Sequence, residues 1–164
     1  MSWRLINGIT FLWQIIKKLF RRLFYSAPGL AQKRPDFNFD AEIGETQTYP
    51  WNPQLSHAQV NGTPFYNEVV FFHPFSRTLI LTDLAVHICE SNSFFTRLWL
   101  KLIGVYGKFG WAKIEKKIFI RNSSAFQKSI AKISDWDFDK IIVAHGRLIH
   151  SAGKNYFNQA FELN

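Results

Sequence analysis

NEVVFFHPFSRTLILTDL, residues 67–84, decides the fold class. Glu68–His73 and Thr78–Thr82 are short runs rich in Val, Ile, Leu and Phe, and Pro74-Phe75-Ser76-Arg77 lies between them. β-Branched and aromatic runs of that length around a proline-containing turn predict a hairpin. Apolar residues occupy successive positions in both runs, so the expectation is strands buried on two faces.

Working outward, residues 56–60 read as a further short strand, and Asn61-Gly62 is a turn signal. Phe94–Tyr106 reads as a helix with an aromatic and aliphatic core face, followed by a mixed stretch over 107–121. Ser124 and Gln127 resemble a capping box opening a helix to about Ile133. Ile141–Ala144 reads as a buried strand, and Ala152–Leu163 as a closing helix. Upstream, Pro28, Pro35, Pro50 and Pro53 mark an irregular stretch to about residue 55. Strands followed by α/β alternation fit one sheet with flanking helices, an α/β layer.

Composition agrees with a packed domain: 164 residues, 47% hydrophobic and 20% charged. The net charge of +8 is concentrated. Residues 1–34 hold seven bases and no acid, and the remainder is nearly neutral, with thirteen bases against twelve acids. That distribution gives no basic stripe on the body, so nucleic acid is not an expected partner. Leu5, Ile9, Leu12, Ile16, Leu19, Phe20 and Leu23 recur at helical spacing, which makes residues 1–26 a basic amphipathic helix. Its uncharged run is too short to span a bilayer, and its basic cluster follows the apolar run, unlike a secretory signal. A single cysteine, Cys89, precludes an internal disulfide and a Cys-rich zinc site, and points to a reducing, cytoplasmic setting. Cys89 itself reads as a small buried hydrophobe. Asp135, Asp137 and Asp139 alternate with Trp136 and Phe138, which places the acids on a solvated edge.

Four stretches in order carry a resemblance: YSAPGLAQKRP (25–35), NEVVFFHP (67–74), SRTLILTDL (76–84) and WDFDKIIVAHG (136–146). Together they resemble an uncharacterised family of metallo-β-lactamase-like proteins, a domain of unknown function, over roughly residues 25–163. The resemblance implies a partial metallo-β-lactamase-like sandwich, with residues 27–164 as the C-terminal half. It assigns Asp83 to the bridging metal-ligand Asp and His145 to the last His. The third His would fall at Thr63 to Phe65, where none stands, and His73 lies at the far end of its strand. The HxHxDH loop of the first half is absent: no two of His57, His73, His87, His145 and His150 lie within four residues of each other.

A hydrolytic zinc needs about three protein ligands plus water. The expectation is therefore a non-catalytic or truncated domain with no cofactor of its own. The open alternatives are half of a split metal-dependent hydrolase, with zinc or iron bound once a partner completes the site, and a peripheral membrane module. A half sandwich would expose a sheet face, which the N-terminal helix, a homodimer or a complementary half-domain chain could cover. The resemblance implies that the helix packs on the domain. It could also lie on an anionic membrane surface, the two not being exclusive, with Trp3 and Trp13 near the headgroups and Lys17, Lys18, Arg21 and Arg22 toward the lipid charge.

Overall fold

A computed structural model describes residues 23–64, 67–111 and 113–163. Of the N-terminal helix expected over 1–26, residues 1–22, with Trp3, Trp13, Lys17, Lys18, Arg21 and Arg22, lie outside the described residues, and its expected end is not helical, Tyr25–Ser26 being a strand. The chain divides into two units, one up to Gln47 and one from Thr48.

In the first unit, β1 (Tyr25–Ser26) pairs in parallel with β2 (Ala41–Glu42), with the short helix α1 (Leu30–Lys33) between them. Carboxylates tie this unit together. Asp40 accepts from the Phe24 amide at 2.7 Å, and Glu42 from the Gly29 amide at 2.8 Å. Arg34 donates two bonds to Asp36, and that pairing holds the guanidinium pKa above its ordinary value.

The second unit is built on a four-stranded sheet in the order β3-β4-β5-β6: Ser56–Gln59, Val69–His73, Thr78–Ile80 and Lys140–Ile142. The first three strands are antiparallel neighbours, whereas β6 joins β5 in parallel after a helical crossover. The predicted hairpin turn forms at Pro74–Arg77. Its last residue takes the left-handed conformation (φ 52°), and its amide donates to the Pro74 carbonyl.

One face of the sheet is the core. Ala58, Val70, Phe72, Leu79 and Ile141 are buried and belong to one cluster with Phe126, Ile130, Phe157 and Phe161. The pattern that makes α4 (Ser123–Ser134) a core helix is Phe126, Ser129, Ile130 and Ile133, which recur every three or four residues on one side. The cap of α4 is Asn122, whose side chain accepts from the Ala125 amide, rather than the box expected at Ser124. The closing helix α5 (Gly153–Phe161) packs Phe157 edge-on to Phe138 at 5.6 Å.

The second sheet face departs from expectation. In β4, Val70 and Phe72 are buried while Val69, Phe71 and His73 are half-buried, so the strand alternates rather than being enclosed on both sides. Trp51 lies edge-on to Phe71 and His57, and Tyr49 stacks on Trp51 at 4.5 Å. These rings shelter part of that face, while Ile142 on the same face stays exposed.

Two helical expectations also change. The 107–121 stretch contains a helix, α3 (Lys113–Phe119). The helix expected from Phe94 forms as α2 (Phe94–Leu102) and stops where Gly104 (φ 81°) donates back to the Lys101 carbonyl. Its aromatic face is not core: only Leu100 is buried, and Phe94, Phe95, Leu98, Trp99 and Leu102 are exposed. Among the described residues no helix is long and apolar enough to cross a membrane.

Candidate functional site

The parallel pairing of β5 and β6 creates the site. Ile80 sits opposite Ile142, and the pairing continues as the Leu81 amide donates to the Ile142 carbonyl at 3.0 Å. Asp83 follows Ile80 by three residues, and His145 follows Ile142 by three. Equal offsets from matched positions on parallel strands bring the two side chains to the same sheet edge. His145 Nε2 lies 3.2 Å from Asp83 Oδ1, with the two side chains 61% and 55% exposed.

Behind this pair lies a residue that the sequence reading passed over. Glu68 immediately precedes β4 and is buried, 8% exposed. Its carboxylate accepts from the Thr82 amide at 2.6 Å, from the Thr82 hydroxyl and from the Asp83 amide at 3.3 Å. The turn that presents Asp83 is thus fastened to an adjacent strand by a buried anion. Its signal was available: a lone charge opening an apolar run must find partners if it is buried.

The His145 loop is fastened differently. The His87 amide donates to the His145 carbonyl at 2.9 Å, and the Arg147 amide to the His87 carbonyl at 2.8 Å. Between them Gly146, at φ 113°, lies so close to His87 that a Cβ there would sit 2.0 Å from its carbonyl oxygen. Only glycine fits. The His87 ring donates through Nδ1 to the Arg147 carbonyl at 2.9 Å, which leaves Nε2 with the lone pair in the neutral ring.

A solved structure is similar to this arrangement of elements: the DIM-1 metallo-β-lactamase exposed to ceftazidime. It matches at a TM-score of 0.51 and 15% identity, over 89% of this chain and 59% of that one. The fold is similar to part of that of a metallo-β-lactamase. At that identity the likeness concerns architecture alone, and the chain spans 59% of the length of the lactamase. No family profile matches the sequence, and no curated protein does either.

The other sequence candidates lie elsewhere. His73 is at the opposite end of β4, with Nδ1 2.7 Å from Ser76 Oγ, and His57 belongs to the ring cluster with Tyr49 and Trp51. Asp137 pairs with Arg77, and Asp139 accepts from the Ala152 amide at the start of α5. Asp135 and Asp137 are exposed and Asp139 is half-buried, while Trp136 is half-buried and Phe138 buried. Cys89 is half-buried, not fully enclosed, and its thiol donates weakly to the His87 carbonyl at 3.8 Å.

The donor set can be tested against a metal. Two ligand atoms about 2.0–2.1 Å from one tetrahedral ion stand roughly 3.3–3.4 Å apart. The Asp83–His145 separation of 3.2 Å suits two corners of such a cage. The number of heads does not: among the described residues no group of three or more His, Cys, Asp and Glu could hold an ion. No hydrolytic step follows from these residues alone.

Proposed function

We propose that this chain presents two ligand heads of a metallo-β-lactamase-like centre, Asp83 and His145, and acts as a non-catalytic binding or scaffolding domain when alone. One observation carries the reading. The two heads converge at the ends of parallel strands with cage-like spacing, yet the described residues supply no third head. An acid and an imidazole can hold zinc or iron weakly but cannot fix its geometry or generate a bound hydroxide.

Elemental analysis of the full chain, purified without chelator, tests the reading. The expected content is well below one zinc or iron per chain, and stoichiometric metal would overturn it.

A second reading has its own support. The pair is more than half exposed, and the neighbouring sheet face carries Val69, Phe71, Ile80 and exposed Ile142, so another layer has both a site to complete and a surface to cover. On this reading the chain is one part of a split metal-dependent hydrolase. Codons for an HxHxDH loop upstream of Met1, in any frame, would favour it over the first; their complete absence would count against it.

A further inference from the structure

We infer that α2 is a docking surface for an anionic lipid bilayer, independent of the Asp83–His145 edge and of the N-terminal segment. The helix is inverted relative to an ordinary surface helix. At about 100° per residue, Phe94, Leu98, Leu102, Phe95 and Trp99 follow one another around an arc of roughly 140°. All five are exposed, between 47% and 79%. Leu100 projects from the opposite side and anchors α2 through Val105, Val86, Ile88 and Ile103. The outward arc is therefore held in water by a small apolar foot.

Charge selects the occupant. Between Glu90 and Glu115 the chain has four bases, Arg97, Lys101, Lys108 and Lys113, and no acid. Arg97 and Lys101 fall at the Phe94 edge of the arc, where they line a depression of about 290 Å³ with Phe94, Leu98 and Tyr106. The Lys101 ammonium lies 5.7 Å from the centre of the Tyr106 ring. Glu90 is engaged by Arg147. An apolar arc with aromatic side chains and cations along its rim matches the boundary between acyl chains and anionic headgroups. Full side-chain areas of about 150–250 Å² scaled by these exposures give a patch on the order of 600 Å². A stable pairing of two proteins buries about 800 Å² per partner, so this helix alone is small for a second copy. The basic N-terminal segment would bring like charge against Arg97 and Lys101, which argues against it as the cover.

The test uses the full chain with phosphatidylcholine vesicles, with and without phosphatidylserine. Phe95→Ser with Trp99→Ser should weaken partitioning onto the anionic vesicles by roughly tenfold or more. Arg97→Gln and Lys101→Gln should each weaken it about fivefold, with little change on neutral vesicles. A bimane probe on Phe95→Cys, in a Cys89→Ser background, should shift to the blue on adding anionic vesicles and not on adding neutral ones. Unchanged partitioning of the variants overturns the inference. So does a probe that stays in water while the protein binds through another segment. A probe already blue-shifted without lipid, or a dimer that Trp99→Ser dissolves in sedimentation, also overturns it by placing protein on α2.

Discussion

Replacing Glu68 by alanine tests whether the edge is prearranged or merely adjacent. The substitution removes the acceptor for three donors: the Thr82 amide, the Thr82 hydroxyl and the Asp83 amide. Hydrogen bonds to a charged group contribute about 1.5–3 kcal/mol each, so full loss of three would amount to about 4.5–9 kcal/mol. Thr82 and Asp83 are exposed, however, and water can satisfy the freed donors. A loss of about 3 kcal/mol is the expected net value, equivalent to a fall in Tm of roughly 10 °C for a chain of this size. Urea denaturation measures the first quantity and calorimetry the second. Global stability alone would not separate a positioning role from general packing, so a local probe is needed. The His145 ring resonance should move in Glu68→Ala, because the Asp83 turn loses its fastening, while that of the remote His73 should stay in place. A loss below about 1 kcal/mol, or an unmoved His145 resonance, would refute the claim that Glu68 sets the position of Asp83.

Gly146→Ala should destabilise by at least about 2 kcal/mol in urea titration, since its φ of 113° and its approach to His87 leave no room for a methyl group. Asn122→Ala should cost about 1 kcal/mol through loss of the α4 cap, whereas Ser124→Ala should be close to neutral. Asp83→Asn and His145→Gln should each change stability by less than about 1 kcal/mol, because the pair is more than half exposed and open to water. Near-neutral unfolding midpoints for both variants would agree with residues kept for binding rather than for folding.

How much was legible in the sequence follows from the range of the interactions. β4, β5 and their turn were readable because a strand and a tight turn are local features of residues 68–82. Asp83 and His145 could be named as a pair only through resemblance, since their meeting depends on the parallel register of strands sixty residues apart. Glu68 was missed for the same reason: its partners are fourteen and fifteen residues away, across a hairpin. The cap of α4 was misplaced by two residues because Asn122, Ser123 and Ser124 are all good caps, and packing of Phe126 and Ile130 chose among them. The reading of α2 was right in periodicity and wrong in direction. An apolar stripe fixes which residues share a face, but not whether that face meets protein, lipid or water.

That last ambiguity ties the two proposals together and also keeps them apart. The Asp83–His145 edge depends on β5, β6 and the Glu68 brace, whereas α2 is attached through the cluster around Leu100 and Val105, which reaches Val86 and Ile88 on either side of the His87 that fastens the His145 loop. Loss of lipid binding in Trp99→Ser should therefore leave the His145 resonance unchanged, and Glu68→Ala should disturb that resonance without freeing the protein from anionic vesicles. Trp99 is exposed on the outward arc of α2 and Glu68 bonds to Thr82 and Asp83, so these two substitutions are expected to act independently. If Trp99→Ser moved His145, the two clusters would be one cooperative structure. The surface of α2 would then have to be read as part of the ligand edge rather than as a bilayer contact in its own right.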